Sequence, residues 1–149
     1  MGKVVAVIDV DLVIPDLDAR LMMEINFFAP ASIIRLLKPC MKKGSHIVNI
    51  SSMGGFQGSS KYSGLSYYSA SKAAIASLSE CLAEEFRESG VSVNCLALGA
   101  VNTEMLREAF PGYRSQVESK SIAEFIAGFA ANGHKYFNGK ILPVALNNP

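Results

Sequence analysis

The chain has 149 residues, of which half are hydrophobic and 18% are charged, and its formal net charge at pH 7 is +1. This composition is typical of a globular domain with a buried core and argues against intrinsic disorder. A nearly neutral chain offers no electrostatic basis for binding nucleic acid or an anionic membrane surface. A length of 149 residues is enough for one compact domain, so we expect a single domain over residues 1–149. No apolar run is long enough to predict a membrane span.

The cysteines give no sign of a disulfide framework or a metal site. Cys40, Cys81 and Cys95 are odd in number and share no metal-ligand spacing with His46 or His134. We therefore predict three reduced, buried thiols, no metal ion and a cytoplasmic location.

In chain order, the first half begins with a β-rich run at 3–10, typical of a strand buried on both faces of a parallel sheet. A long helical pattern then extends from Pro15 and Asp16 to about Lys43. A second apolar strand follows at 45–51 and leads into a loop rich in glycine and serine at 52–64.

The second half repeats this alternation. The pattern predicts a helix over 66–89 and a strand over 91–98, then two shorter helices at 103–109 and 119–131 and a last strand at 140–146. Strands that alternate with helices predict a parallel α/β sheet flanked by helices, here with about four strands.

The helix at 66–89 carries a tyrosine and a lysine one turn apart. Tyr68 and Lys72 share a stripe with apolar positions further along the helix, whereas Tyr67 lies about 100° round the helix. Because the apolar part of the stripe must face the sheet, Tyr68 and Lys72 are predicted to point toward the strand ends, where such sheets bind ligands. An ammonium beside a phenol lowers the phenol pKa toward the range of efficient acid–base catalysis. The stripe consists of Tyr68, Lys72, Ile75, Ser79, Leu82 and Phe86. The alternative explanation is an ordinary tyrosine–lysine pair on the protein surface.

Two serines end the second predicted strand. Strand alternation sends the side chains of Ser51 and Ser52 to opposite sides, so one of them can face the helix with Tyr68 and donate to an oxygen that gains charge. The loop that follows contains neither a phosphate-binding glycine pattern nor a G-x-S-x-G elbow. Only His134 could serve a serine nucleophile, so acyl transfer is disfavoured, and a loop serine without a catalytic role is the alternative.

The long first helix contains a proline at its centre. Pro30 has no N–H and cannot donate to the carbonyl of Asn26, four residues earlier. The sequence therefore predicts a disturbed helix with a displaced carbonyl at Asn26. A kink that only accommodates packing would give the same pattern.

Taken together, these segments resemble the classical short-chain dehydrogenase/reductase family. The resemblance rests on INFFAPASIIRLLKP, SHIVNISSMGG, YSASKAAIASLSECLAEEF, VSVNCLALGAVNTEM and YFNGKILPV, which cover most of the chain from Ile25 onward. It implies a Rossmann-like fold and hydride transfer between NAD(P)(H) and a carbonyl or alcohol substrate, with NADP as one candidate cofactor.

The resemblance also implies roles for individual residues. Tyr68 corresponds to the catalytic acid/base, Lys72 to the residue that lowers its pKa and holds the nicotinamide ribose, and Ser52 to the hydroxyl that orients the substrate carbonyl. Asn26 corresponds to the asparagine that completes the catalytic tetrad and, through its carbonyl, holds a water in the proton relay. Three further positions match the segment that contacts the nicotinamide and nearby phosphates: Gly99, Val101 and Thr103.

One part of the family pattern is missing from this sequence. No glycine-rich turn is present to receive a pyrophosphate, and the first strand is followed within five residues by the long helix. The fold is therefore expected to be a partial Rossmann fold. The long helix is apolar on more than one side, which predicts a homodimer or homotetramer formed through the long helices. A truncated, catalytically impaired domain that acts mainly by oligomerising is the alternative function.

Overall fold

A four-stranded parallel sheet forms the centre of the molecule. The computed structural model describes residues 2–8 and 19–146, and its strands pair in chain order with all neighbours parallel. Parallel pairing brings the carboxyl ends of the strands to one edge, where Ser52 lies opposite Leu98. The predicted Rossmann-like α/β architecture is confirmed. The strands are β1 (Val5–Ile8), β2 (His46–Ser52), β3 (Ser92–Leu98) and β4 (Ile141–Val144).

The long first helix is divided into four helical segments. It starts as α1 (Ala19–Met23), widens into a π-helical turn (Glu24–Phe28), continues as α2 (Ala29–Leu37) and ends in a 3₁₀ turn (Lys38–Cys40). It therefore ends three residues before the predicted limit at Lys43. Its predicted start at Pro15 and Asp16, and the last two residues of the predicted first strand, lie outside the described residues.

The remaining helices follow the predicted order. The central helix α3 (Ser66–Glu85) joins β2 to β3, and α4 (Glu104–Ala109) and α5 (Ser119–Asn132) lie between β3 and β4. Short 3₁₀ turns follow β2 (Met53–Gly55) and α5 (Gly133–Lys135). Within the described residues, no helix is both long and apolar enough to cross a membrane.

The core consists of two apolar layers, one on each face of the sheet. On one face Ile47 and Val93 of the sheet pack with Ile34 of α2 and Leu82 of α3. On the other face the apolar residues of β2, β3 and β4 pack with α5. The alternation along β2 therefore divides its side chains between two helical layers, which is why its residues from His46 to Ser51 are all buried.

The prediction of a first strand buried on both faces is wrong. Ile8 of β1 is buried, but Val5 and Val7 are 47% and 44% exposed. Among the described strands β1 pairs only with β2, and the apolar cluster under α5 contains no β1 residue. One face of this edge strand is therefore left largely open.

The expectation of three buried thiols is also wrong. Cys95 of β3 is buried, whereas Cys40 and Cys81 are exposed, and all three are free thiols. Cys40 lies in the turn that ends the long helix, and Cys81 lies on the outward side of α3, next to the inward-facing Leu82. Burial raises the pKa of the Cys95 thiol to about 12, which makes it unreactive at neutral pH.

Candidate active site

Helix α3 buries a tyrosine and a lysine one turn apart, as its spacing predicts. Tyr68 is 8% exposed and Lys72 is 1% exposed, whereas Tyr67 is 54% exposed. The Lys72 Nζ lies over the Tyr68 ring at 5.9 Å from its centroid and 3.4 Å from the carbonyl oxygen of Ile50. Because both side chains are buried, the alternative of a surface tyrosine–lysine pair is excluded. Burying a charged group is costly, so a lysine at this position needs polar partners around it.

The end of β2 is fastened to this part of α3 by a serine. The Ser51 Oγ donates a hydrogen bond of 2.7 Å to the carbonyl oxygen of Lys72. This hydrogen bond fixes the position of α3 along its axis relative to the end of β2. Strand alternation predicts that Ser51 or Ser52 faces α3, and in the structure Ser51 is the serine that bonds to the helix backbone.

Ser52 follows Ser51 and begins the 3₁₀ turn at the strand end. Its Oγ accepts a hydrogen bond of 3.1 Å from the N–H of Gly54. Because this contact uses an oxygen lone pair, the Ser52 hydroxyl proton is left to donate in another direction. A Cβ placed on Gly54 would lie within 4 Å of both the Ser52 Oγ and the Tyr68 ring. The structure therefore brings the predicted serine and tyrosine together around one glycine.

The next glycine lets the turn approach the helix. A Cβ placed on Gly55 would lie 2.5 Å from the carbonyl carbon of Lys72 and 2.6 Å from the backbone nitrogen of Ala73. Backbone atoms of a helix cannot move aside at such distances, so any side chain at this position would push the turn away from α3. The paired glycines after the strand are the signal for this contact, which sequence reasoning did not assign.

Asn26 lies in the π-helical turn, as the central proline predicts. The N–H of Ala29 donates to the carbonyl of Glu24, an i→i+5 bond, and Pro30 has no N–H to offer Asn26. The prediction of a disturbed helix at this residue is confirmed. Asn26 is buried, although the role implied for its carbonyl stays a prediction.

A second serine connects Asn26 to the tyrosine–lysine helix. The Asn26 Nδ2 donates to the Ser71 Oγ at 3.0 Å, and the Ser71 Oγ donates to the carbonyl oxygen of Tyr68 at 2.8 Å. Ser71 was missed from the sequence because a serine in the middle of a helix is most simply explained by a bond to its own backbone, which it also makes.

The segment predicted to contact a nicotinamide follows β3 at the same sheet edge. The Gly99 N–H donates to the carbonyl of Val144 at 2.9 Å, and a Cβ on Gly99 would lie 2.6 Å from the Cβ of Ala145. The Thr103 Oγ1 accepts the N–H of Leu106 and so caps α4. Val101 lies between them and is partly buried. The structure fixes this segment, but its contact with a cofactor stays a prediction.

The site thus combines a phenol, an ammonium and a hydroxyl at the carboxyl edge of the sheet. These groups can hold an oxygen atom and move a proton to or from it. In the part of the chain that the structure describes, no group of three or more histidine, cysteine, aspartate or glutamate residues could hold a metal ion.

Comparisons with known proteins show which family the chain resembles. The family model for short chain dehydrogenases matches residues 11–114. An uncharacterised oxidoreductase of Staphylococcus saprophyticus is 33% identical over 105 residues, which are 69% of this chain and 44% of the relative. The NADPH-dependent aldehyde reductase-like protein of Arabidopsis thaliana chloroplasts is 30% identical over 95 residues, which are 54% of this chain and 34% of the relative.

A solved structure shows the same arrangement of elements. The crystal structure of a dehydrogenase/reductase from Sinorhizobium meliloti is 30% identical, with a TM-score of 0.72 over 86% of this chain and 54% of that chain. This chain therefore spans less than half the length of the two curated relatives and about half of the solved structure. The match of the family model across most of the sequence, together with the tyrosine–lysine site, shows that the chain belongs to the short-chain dehydrogenase family of oxidoreductases.

Proposed function

We propose that this chain carries the proton-transfer site of an NAD(P)(H)-dependent oxidoreductase that interconverts a carbonyl compound and an alcohol. The observation that carries the proposal is the buried pair of Tyr68 and Lys72 with Ser52 beside it. Helix α3, the 3₁₀ turn and the end of β2 hold these groups against one another.

The donor groups fit one end of a dinucleotide cofactor. An ammonium and a phenol at the sheet edge suit the hydroxyls of a nicotinamide ribose, so Lys72 and Tyr68 would hold that end, next to the segment from Gly99 to Thr103. The sequence contains no glycine-rich turn for a pyrophosphate, so the fit is limited to the nicotinamide end. The cofactor, when bound, supplies or accepts the hydride. Because the Arabidopsis relative is described as NADPH-dependent, NADPH is the first cofactor to test.

The side chains would divide the remaining chemistry among them. The Ser52 hydroxyl, whose oxygen already accepts from Gly54, would donate a hydrogen bond to the substrate oxygen and so orient it, while keeping its proton. The Tyr68 phenol transfers its proton to that oxygen during reduction and takes a proton from the alcohol during oxidation. The nearby Lys72 ammonium stabilises the phenolate formed on Tyr68. Asn26 acts through Ser71 to hold α3 in register with the π-helical turn.

The chain would also associate with a second copy through its long helices. Leu21 and Phe28 at the start of the first helix, and Ile33 and Leu36 on α2, are exposed apolar side chains. The outward side of α3 carries small residues, Ala73 and Ser77 among them, that would let another helix approach closely. This association is compatible with catalysis. A catalytically impaired oligomer would show the same association without binding of the cofactor.

Exchanging each of the two tyrosines tests the proposed function. NADPH and NADH are titrated by calorimetry, and turnover is followed by nicotinamide absorbance with a panel of aldehydes and ketones. We expect Tyr68→Phe to lower turnover by roughly 10²-fold or more, because the phenol transfers the proton, while cofactor binding is largely retained because Lys72 still holds the ribose. Tyr67→Phe is the matched control and should leave turnover unchanged, because Tyr67 is exposed.

Two results would contradict the proposal. If neither cofactor binds at millimolar concentration, this chain is not a catalyst on its own and the oligomerising function becomes the better explanation. If both bind and Tyr68→Phe turns over as fast as the wild type, Tyr68 is not the proton donor.

A further inference from the structure

The loop after Ser52 is closed by a lysine that sequence analysis did not single out. The Lys61 ammonium donates to the carbonyl oxygens of Gly54 and Phe56, both at 2.7 Å, and to the Ser59 Oγ at 2.8 Å. An ammonium has three N–H donors, and here all three point at the loop. We call residues 53–61 the clasped loop.

A buried serine completes this closure. Ser59 is buried, and its Oγ contacts the carbonyl oxygens of Met53 and Phe56, the latter at 2.9 Å. Three backbone carbonyl oxygens, those of Met53, Gly54 and Phe56, therefore converge on Lys61 and Ser59. In the described part of the chain, no carboxylate forms an ion pair with Lys61, so its charge is directed at the loop itself. Hydrogen bonds from a charged donor are stronger than those between neutral groups, so this lysine can hold the loop in one shape.

The clasped loop acts on the candidate active site through one glycine. The peptide groups of Gly54 face in two directions: its carbonyl accepts from Lys61, and its N–H donates to the Ser52 Oγ. Gly54 also lies against the Tyr68 ring. A shift of this glycine would change where the Ser52 hydroxyl proton points and how close Ser52 lies to Tyr68.

We propose that Lys61 is a positioning residue that, through Gly54, fixes the Ser52 hydroxyl for its contact with the substrate oxygen. This inference rests on the proposed function, because Ser52 must act on a substrate for its orientation to matter. The hydrogen bonds that Lys61 makes within the described residues all go to the loop, so replacing it should alter the chemical step on the carbonyl substrate and leave binding of the cofactor unchanged.

A double-mutant cycle tests the coupling between the two residues. We expect Lys61→Met to lower kcat/KM for a carbonyl substrate by on the order of tenfold, mainly through kcat, with the NADPH dissociation constant unchanged. In the Ser52→Ala background the same Lys61→Met change should have little further effect, because the group that it positions is gone. Lys120→Met, at another exposed lysine, is the matched control and should match the wild type. An equal loss in both backgrounds, or no loss in either, would overturn the proposal.

A measurement that needs no turnover separates this inference from the proposed function. Hydrogen exchange of the peptide covering residues 53–61 should be at least several times faster in Lys61→Met than in the wild type or in Lys120→Met, because the N–H groups of Gly54 and Phe56 lie in the clasped loop. If the wild type shows no turnover, the proposed function fails and exchange alone decides whether Lys61 holds the loop. Unchanged exchange in Lys61→Met would overturn the proposal whatever the activity.

Discussion

At the scale of single residues, the contact between Gly55 and α3 makes a strong prediction. Any side chain at Gly55 would meet backbone atoms of Lys72 and Ala73 well inside van der Waals distance. We expect Gly55→Ala to lower the free energy of unfolding by about 1–3 kcal/mol, as overpacking of a tight contact does. It should also reduce turnover strongly, because the displaced turn carries Ser52 away from Tyr68. Urea unfolding and steady-state kinetics measure the two effects.

A second glycine supplies the control for this prediction. A Cβ on Gly128, in α5, would meet no atom within 4 Å. Gly128→Ala should therefore be neutral or stabilise the protein by up to about 1 kcal/mol, since alanine is the better helix former. If Gly55→Ala unfolds at the same urea concentration as Gly128→Ala, the turn does not lie as close to α3 as the prediction requires.

The candidate site shows which residues a sequence can reveal. Helical spacing was sufficient to choose Tyr68 over Tyr67, and the missing N–H of Pro30 was sufficient to predict the disturbed turn at Asn26. Both arguments use only neighbours along the chain. Ser71 could not be assigned this way, because its role depends on Asn26, 45 residues away. The Lys61 contacts are local, but they depend on a loop geometry that no pattern of residue types specifies.

At the scale of elements, a buried histidine network joins the sheet to the C-terminal helix and the turn after it. The His46 Nδ1 lies 3.0 Å from the carbonyl oxygen of Ala130 in α5, so this nitrogen carries the proton, and the His46 Nε2 accepts from the Asn94 Nδ2 at 2.9 Å. Asn94 is held in this orientation because its amide also donates to the carbonyl of Phe137 and its Oδ1 accepts from the N–H of Lys140. If the His46 Nε2 took up a proton, its new N–H would face the N–H of Asn94, and the hydrogen bond between the two side chains would be lost.

This network gives the protein a pH-dependent stability. Burial lowers the pKa of His46 below 6.5, the hydrogen bond to the Ala130 carbonyl opposes this, and nearby His134 lowers it further. Because the unfolded chain takes up a proton before the folded protein does, stability is fully present above about pH 6.5 and is lost as the pH falls from there toward the folded pKa. We expect a loss of about 1 kcal/mol per pH unit in that interval, measured by urea unfolding.

A variant without the titrating ring isolates this contribution. His46→Gln keeps an amide donor and acceptor but cannot take up a proton near neutral pH. Below about pH 6.5, the slope of stability against pH should be smaller in His46→Gln than in the wild type. Equal slopes in the two proteins would mean that groups other than His46 cause the acid sensitivity.

The elements also show where sequence reasoning fails. The predicted alternation of strands and helices is the one that the structure has, and β2 and β3 are buried as their apolar runs predict. The same reasoning failed for β1, because a run of valines looks the same at the centre of a sheet and at its edge. The burial of Cys40 and Cys81 was mispredicted for a related reason: residue type gives the average burial of cysteine, whereas the packing of each helix decides the actual burial.

At the scale of the whole molecule, exposed apolar side chains on the long first helix predict a dimer. Leu36 on α2 is 70% exposed, and the exposed side of α3 is lined by small residues such as Ser77. Apolar surface of this kind is costly in water, and pairing two copies would bury it.

We expect Leu36→Asp to shift the protein toward the monomer in sedimentation velocity, because the new carboxylate would be buried without a partner. Leu146→Asp is a closely matched control, since Leu146 is also 70% exposed but lies at the C-terminal end, after β4. It should leave the dimer intact. A wild type that sediments as a monomer at micromolar concentration would overturn this prediction, and so would equal dissociation of both variants, because a general increase in negative charge would then explain the effect as well as a helical interface does.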